Sequence, residues 1–422
     1  MSRDQRISRL MADLFPLNRS ITGGGTRATL ARIGQEVAGL QVHEVPSGTE
    51  VLDWRVPDEW NLRRARLIGP NGVVVDTADS NLHIVGYSAP AQTEISLEDL
   101  QPRLHSLKTQ PTVVPYRTSY YERTWGFCLT DQVRSTLQPG QYMVDIDTSL
   151  EPGALSYGEL VVPGRRRDEI LISTHVCHPS LANDNLTGIA AAVAIAAWAV
   201  SSQRDFTYRI LFLPATIGAV TWLARNRDVL TSIRHGVVLT GLGDPGHLTY
   251  KRSRRGDTSF DRLMTHVVQE LGGRSVDWSP YGYDERQFCS PGFDLPVGRL
   301  SRTPHGTYPE YHTSADNLSF VSPTQVGEAI DALIGAFELI EEGIVPRNLA
   351  PYGEPQLGRR GLFRHLGGSL DAASTETAVL WLLSLGDGAH DLMEIADRSQ
   401  LPLAVLRDAA RALQRVNLLA FD

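Results

Sequence analysis

Hydrophobic residues change their spacing along the chain and so divide it into regions. Up to about residue 45 they recur at helical spacing, whereas from about 46 to 130 short apolar runs alternate with turn signals, a pattern typical of short strands joined by tight turns. From 131 to 345, apolar strands alternate with helical stretches, which predicts a mostly parallel sheet with helices on both faces. We therefore predict an α/β domain formed by 1–45 and 131–345, with 46–130 inserted into it as a small β-rich subdomain.

The region after residue 345 begins with a linker that is rich in Pro and Gly and has no periodicity. Residues 355–422 then show three helical stretches, whose spacing resembles a winged helix-turn-helix. Arg407, Arg411 and Arg415 on the last helix would suit DNA binding. The segment is not basic overall, however, and a helix that reads DNA normally carries more positive charge. We therefore expect a helical docking module and do not favour nucleic acid as a partner.

Composition limits the class of protein. With 422 residues, 42% of them hydrophobic, the chain can bury a large core in two or three domains. A net charge of -8 and a pI near 5.9 provide no global basic field to attract nucleic acid or anionic lipid. The cysteines, an odd and sparse set typical of a reducing compartment, are Cys128, Cys177 and Cys289. The N-terminus lacks a signal-peptide core and no apolar run is long enough to span a membrane, so we expect a cytoplasmic protein. A homo-oligomer is compatible with this composition.

Candidate ligands are concentrated in the stretch ILISTHVCHPSLANDNLTG, residues 170–188. An apolar strand ends there in a polar loop before an Ala-rich helix, and open α/β sheets place their chemistry at such strand ends. The residues of this loop that could bind a metal ion are His175, His178 and Asp184. His312 follows another predicted strand, in the polar cluster PEYHTSADN. Imidazole and carboxylate are good zinc ligands, so we predict that the two stretches form one zinc site.

These stretches resemble the sequence motifs of a known family. DNLTG resembles the D-[DN]-x-[ST]-G signature of co-catalytic zinc aminopeptidases, YDERQFCSPGFDLPVGRL resembles their S-D-x-x-x-F…G-x-P loop, and YHTSADN resembles their H-T-x-x-D motif. Nearly the whole chain resembles the bacterial aminopeptidase-like proteins of the zinc aminopeptidase and glutaminyl cyclase superfamily that carry an inserted β subdomain and a C-terminal winged helix. The shared stretches include LFPLNRSITGGGTR, SYYERTWGFC and THVCHPSLANDNLTG. The resemblance implies a zinc-aminopeptidase-like α/β fold.

The resemblance also implies roles for the candidate ligands. Asp184 takes the position of the bridging or central ligand, and His312 takes that of the distal histidine ligand. His175 occupies the place of the family's first histidine. His178, which ordinary aminopeptidases lack, is close enough to serve instead, so we expect one of these two to be a ligand and the other to support it.

The chain departs from the aminopeptidases at the next strand end. Their two adjacent Glu residues, one the general base and one a ligand, are replaced by Ala215 and Thr216. Fewer carboxylates favour one zinc ion, although two are compatible with the sequence. The base is therefore sought among Glu285, Glu310 and Asp284, of which Asp284 is expected to orient a neighbour. For each of these three carboxylates the alternative is a salt bridge, with Arg286, Arg299 or Arg302 as partner.

Together these features predict a zinc-dependent hydrolase of an amide bond in a small peptide or an N-acylated metabolite. One alternative is an acyl-transfer or cyclisation enzyme of the glutaminyl-cyclase type with a single zinc ion. Another is a non-catalytic ligand- or DNA-binding regulator. Two sets of residues have either a site role or a local structural one. They are Asn18, Arg19 and Ser20, which serve the site or cap a helix, and Tyr116, Tyr120, Tyr121 and Trp125, which line a substrate pocket or pack the subdomain.

Overall fold

The computed structural model describes residues 1–362 and 370–421. These residues form two compact units. The first contains Met1–Gly256 and Val276–Ile330, and the second contains Asp257–Ser275 and Asp331–Asp422. The domain boundaries inferred from the sequence remain predictions, and residues 363–369 and 422 of the predicted linker and C-terminal domain lie outside the described residues.

The strands of the described chain range from two to eleven residues. They are β1 (Gln41–Pro46), β2 (Glu50–Val51), β3 (Trp54–Arg55), β4 (Glu59–Gly69), β5 (Gly72–Asp76), β6 (Ala91–Ser96), β7 (Leu104–His105), β8 (Phe127–Cys128), β9 (Gln141–Glu151), β10 (Ala154–Val162), β11 (Glu169–His175), β12 (Thr207–Leu213), β13 (Ile233–Leu239), β14 (Thr249–Lys251), β15 (Arg274–Val276), β16 (Val297–Ser301), β17 (Pro346–Asn348) and β18 (Leu419–Phe421).

The helices follow the predicted periodicity closely. They are α1 (Arg3–Leu14), α2 (Gly24–Glu36), α3 (Leu97–Leu100), α4 (Asp131–Ser135), α5 (Thr187–Val200), α6 (Ile217–Arg225), α7 (Ser259–Glu270), α8 (Glu285–Phe288), α9 (Pro323–Glu342), α10 (Leu370–Leu385), α11 (Leu392–Ser399) and α12 (Leu403–Arg415). In the described ranges, no helix combines the length and the apolar composition that crossing a membrane would require. The three cysteines are buried thiols.

The large sheet of the first unit has the order β1-β10-β12-β11-β13-β16-β14. The strand pairs from β12 to β16 are parallel, whereas β10 with its two neighbours and β14 with β16 are antiparallel. The predicted α/β class is therefore confirmed, and the parallel arrangement holds for the centre of a mixed sheet. Every residue of β11 is buried, as expected for a central strand with both faces covered.

The large sheet is covered by α5 and by an extended hydrophobic cluster. The apolar helix α5 packs on β11, β12 and β13, and its Ala-rich sequence allows the close approach. Leu171, Leu211 and Val238 of the sheet belong to one cluster with Trp222 of α6. These contacts fix the direction of β11, whose carboxyl end carries His175.

A second, antiparallel sheet has the order β5-β4-β9-β6. Its central strand β9 is Gln141–Glu151, a segment that the sequence analysis placed in the α/β domain. β10 of the large sheet begins at Ala154, directly after β9. Val144 and Ile146 of β9 lie in the same hydrophobic cluster as the large sheet, so the two sheets share a core.

The second unit contains the three helices α10, α11 and α12 and the antiparallel pair β17–β18. The first residues of α12 are anchored, because the amide of Leu403 donates to Glu270 Oε1 at 2.6 Å. Arg411, one of the arginines considered for DNA binding, forms an ion pair with Glu342. The role of this unit as a docking module remains a prediction.

Candidate metal centre

Three histidines converge on the carboxylate of Asp184, which is fully buried. His175 Nε2 lies 2.9 Å from Asp184 Oδ1. His178 Nδ1 and His312 Nε2 lie 3.2 and 3.0 Å from Asp184 Oδ2. The structure therefore brings together all four residues that the sequence predicts as zinc ligands.

Each histidine reaches this point from a different backbone position. His175 is the last residue of β11, and His178 lies in the loop that follows. His312 comes from the loop after β16 and has a left-handed backbone with φ of 55°. That conformation is uncommon for a residue with a side chain, and strained residues of this kind cluster at functional sites.

Electrostatics hold Asp184 ionised. Burial alone would raise its pKa, but the nearby charges of His178 and His175 outweigh burial and place the pKa well below its usual range. Burial also opposes protonation of both histidines. For His175 burial prevails and lowers the pKa, whereas for His178 the Asp184 charge prevails and raises it. A buried carboxylate with neutral and protonated imidazoles around it is suited to exchange those protons for a cation.

Asp316 holds the loop that carries Asp184. Its carboxylate accepts hydrogen bonds from the backbone amides of Ala182, Asn183 and Asp184, at 3.1, 2.6 and 3.0 Å. The sequence analysis used the histidine of YHTSADN and did not assign a role to its Asp316. The matching H-T-x-x-D motif contains this aspartate and was the signal that could have identified it.

Asn183 and Asn185 bind the loop to neighbouring strand ends. Asn183 Nδ2 donates to Asp244 Oδ2 at 2.9 Å, and Thr303 Oγ1 donates to Asp244 Oδ1 at 2.5 Å. Asn185 Nδ2 donates to Thr174 Oγ1 at 2.8 Å. Asp244 therefore acts as a structural acceptor for the loop.

Tyrosine rings surround the imidazoles. Tyr283 stacks on His175 with ring centroids 5.2 Å apart, and Tyr311 stacks on His312 at 4.0 Å. Tyr116 meets His178 and His312 edge-on, at 5.1 and 5.2 Å. These rings fix the imidazole planes and form an aromatic wall around Asp184.

The four aromatic residues considered for a substrate pocket separate into three environments. Tyr116 lies at the site, and its hydroxyl is 3.2 Å from that of Tyr120. Tyr121 is 52% exposed and lies away from the core. Trp125 packs under the guanidinium of Arg103, 4.2 Å from its ring centroid, which is a structural role.

Arg19 connects the N-terminal segment to the site. It is 1% exposed, and its Nε donates to the backbone carbonyl of His178 at 2.8 Å. A second nitrogen donates to the carbonyl of Leu14, and burial lowers the pKa of Arg19 to about 10. The N-cap of α2 is Gly23, without a side-chain cap. Of the two alternatives for Arg19, these contacts support the site role.

Glu285 occupies a buried ion pair. It is 0% exposed, and its Oε1 accepts from Lys251 Nζ at 2.9 Å and lies 3.6 Å from Arg299 Nη1. Arg299 is one of the salt-bridge partners proposed from the sequence. The geometry thus agrees with the structural alternative for Glu285 at Oε1, while Oε2 has no hydrogen-bond partner among the described residues.

Asp284 and Glu310 differ in their surroundings. Asp284 is 1% exposed, and its Oδ1 has no hydrogen-bond partner among the described residues. Burial, followed by the charge of Glu285, raises the pKa of Asp284 to about 7, although the nearby charges of Arg286 and His178 oppose the rise. Glu310 is half-buried, two residues before His312. Of the three carboxylates, Asp284 has the properties of a proton acceptor at neutral pH.

The donor set fits a zinc ion. Among the described residues, the ligand atoms of His175, His178 and Asp184 form a group in which all lie within 4.8 Å of one another. His312 adds a third imidazole on the same carboxylate. Two or three nitrogen donors and one carboxylate are typical of catalytic zinc sites, which leave a position open for substrate or water.

Comparisons with known proteins agree with this fold. Residues 8–343 match the family model described as Domain of unknown function (DUF4910), and residues 344–421 match a winged helix-turn-helix model. The C-terminal winged helix is thereby confirmed. A protein of Clostridium acetobutylicum named "Putative polysaccharide biosynthesis protein with aminopeptidase-like domain" is 42% identical over 416 residues, which are 98% of this chain and 95% of the relative.

Solved structures extend the comparison. A crystal structure described as that of a "putative peptidase" from Clostridium acetobutylicum matches 99% of this chain and 96% of its own, with a TM-score of 0.93 and 40% identity. A zinc aminopeptidase from Bacillus subtilis matches 79% of this chain and 93% of its own, with a TM-score of 0.58. Its identity of 12% supports a shared fold and no more. The chain therefore belongs to the family described as Domain of unknown function (DUF4910), as an aminopeptidase-like protein with a C-terminal winged helix.

Proposed function

We propose that the protein is a zinc-dependent hydrolase that cleaves an amide bond in a small peptide or an N-acylated metabolite. The observation that carries the proposal is the convergence of His175, His178 and His312 on the buried carboxylate of Asp184. Relatives named as aminopeptidase-like or as a peptidase add support for this class of reaction.

One zinc ion is favoured in this proposal. The ligands would be Asp184, His312 and either His178 or His175. The remaining histidine would contact the ligand set and help to hold it in place. A bound zinc ion would act as a Lewis acid, polarising a carbonyl and making water more acidic. Two carboxylates that could serve a second ion have other partners, since Asp244 binds Asn183 and Asp316 binds backbone amides.

Asp284 is our candidate for moving protons. With its pKa raised to about 7 by burial, its carboxylate would accept a proton from the attacking water. As the carbon–nitrogen bond breaks, the same group would return that proton to the leaving amine. Glu285 would instead balance the positive charge of Lys251, with which it forms an ion pair. A reducing, cytoplasmic location is part of the proposal, because it accounts for three buried cysteine thiols.

The test is zinc content together with activity. Asp184→Ala and His312→Ala should lose both bound zinc and hydrolysis of a panel of aminoacyl amides and N-acyl amino acids. His390→Ala should retain both, because His390 pairs with Asp387 in the second unit. Retention of zinc by both site variants would refute the assignment. If the summed mass of the products does not exceed that of the reactants by one added water, the reaction is acyl transfer or cyclisation instead.

A further inference from the structure

The first unit contains a cavity that none of the candidate metal ligands lines, and we call it the Tyr121 pocket. Its volume is about 430 Å³. The lining residues on which the argument depends are Arg55, Asp58, Tyr87, Tyr121, Glu122 and Arg123. A cavity of this size accommodates a small organic ligand, and aromatic walls with a few polar groups are typical of ligand sites.

The exposed ring of Tyr121 lines the pocket, and the exposed ring of Trp54 lies beside it. Tyr121 is 52% exposed, and Trp54 is 44% exposed. The two rings contact each other edge-to-face with centroids 5.4 Å apart. Single exposed aromatic residues are common on protein surfaces, but this pair offers two apolar ring faces, inclined at 63° to each other, against which another ring can pack.

The backbone at the pocket is held in an uncommon conformation. Tyr87 and Tyr121 have φ angles of 70° and 66°, in the left-handed region. Bulky residues avoid that region because of steric clashes, and such residues persist where the surrounding structure requires them. Both tyrosines line the Tyr121 pocket.

The charged groups of the pocket balance one another. Two guanidinium groups, on Arg55 and Arg123, accompany the carboxylates of Asp58 and Glu122. The lining carries two charges of each sign, and Arg55 also donates to Glu50 Oε1 at 3.1 Å, so no positive excess would attract an anionic ligand over a long range. It instead offers several planar donors and acceptors, which match a neutral ligand rich in hydroxyl groups. A sugar combines such hydroxyls at its edge with an apolar C–H face for aromatic stacking.

A row of tyrosines leads from this pocket to the candidate metal centre. Tyr87 meets Tyr120 edge-on at 5.3 Å, and the Tyr120 hydroxyl lies 3.2 Å from that of Tyr116. Tyr116 in turn packs 5.1 Å from His178. The Tyr87 hydroxyl is fixed by Thr22, 2.5 Å away. A continuous series of side-chain contacts therefore connects Tyr87, which lines the pocket, with Tyr116, which packs on the metal centre.

We propose that the Tyr121 pocket binds a neutral carbohydrate, with a sugar ring against Tyr121 and Trp54 and its hydroxyls bound by the four charged side chains. The binding itself is independent of the proposed hydrolase activity.

The experiment measures binding by saturation-transfer NMR on the zinc-treated full chain, with N,N′-diacetylchitobiose, cellobiose and maltose at about 10 mM. At least one disaccharide should bind. Tyr121→Ala and Trp54→Ala should each weaken that binding about tenfold, because each removes one aromatic face. Tyr352→Ala is the matched control, since Tyr352 is 100% exposed and lies in the second unit, so binding should not change.

Two results would overturn this proposal. One is the absence of binding for all three disaccharides. The other is binding that survives both the Tyr121 and the Trp54 substitution, which would place the sugar elsewhere. Neither result depends on catalysis, so the carbohydrate site can fail while the hydrolase proposal stands. Conversely, loss of zinc without loss of sugar binding would concern the metal centre alone.

Discussion

The buried carboxylate of Glu285 provides a decisive test, because its contacts support a structural role where the sequence suggested a catalytic one. Glu285→Gln keeps the shape of the side chain and removes its charge. Lys251 and Arg299, 2% and 3% exposed, would then remain as buried cations without this counter-charge. We expect the substitution to reduce the free energy of unfolding substantially.

The size of the effect follows from the burial of the pair. Removing one partner of a buried ion pair costs about 3–5 kcal/mol, because the remaining charge stays desolvated. For a large domain, about 2 °C of melting temperature corresponds to each kcal/mol, so a decrease of about 6–10 °C is expected. Glu310→Gln, at a half-buried residue, should change stability by about 0.5 kcal/mol or less.

The assay is differential scanning calorimetry of the full chain, with circular dichroism after each scan to check reversibility. Lys251→Gln and the double variant would complete a double-mutant cycle, whose coupling energy isolates the ion pair. If Glu285→Gln lowers activity severely while its melting temperature stays within about 1 °C of the unsubstituted protein, Glu285 is a catalytic base and the structural argument is refuted.

Three other outcomes are expected. Burial raises the pKa of Asp284 to about 7 from 3.8, so the unsubstituted protein should lose stability as pH rises from about 4 to 7. The free energy of unfolding of Asp284→Asn should therefore exceed that of the unsubstituted protein by about 2–4 kcal/mol at pH 8, and by little at pH 4. Equal differences in denaturant midpoint at both pH values would contradict this. Arg19→Met should weaken zinc binding about 10–100-fold in a chelator competition, because it leaves the His178 carbonyl unbound, whereas Arg27→Met, which breaks a pair with Glu59, should not. Asp316→Asn should also weaken zinc binding, because a neutral amide holds the backbone amides around Asp184 less strongly, and unchanged affinity would exclude this positioning role.

Most of the secondary structure could be predicted from the sequence because local periodicity determines it. The helical spacing up to about residue 45 corresponds to α1 and α2, and the three helical stretches predicted within residues 355–422 correspond to α10, α11 and α12. For strand β9, local periodicity does not predict the tertiary arrangement. Its alternation of apolar and polar residues identifies a strand but does not say which sheet it joins, and its partner β4 is far away in the chain.

The candidate ligands were predictable because strand ends and residue types restrict the chemistry. His175 and Asp184 lie close together in the sequence, and the parallel arrangement of β11 and β16 brings His312 to the same edge of the sheet. The distinction between Glu285 and Asp284 was not predictable. These are adjacent acidic residues at the start of α8, and only the position of Lys251, on β14, decides which carboxylate is paired.

The short passage from β9 to β10 has a consequence for engineering the protein. β9 ends at Glu151 and β10 begins at Ala154, so a single continuous piece of backbone serves both sheets. Excision of residues 46–130 would leave β9 attached to the large sheet without β4 and β6, its hydrogen-bonded partners on either side. The resulting chain would expose two unpaired edges and invite aggregation. A shortened version of the protein should therefore retain the small sheet.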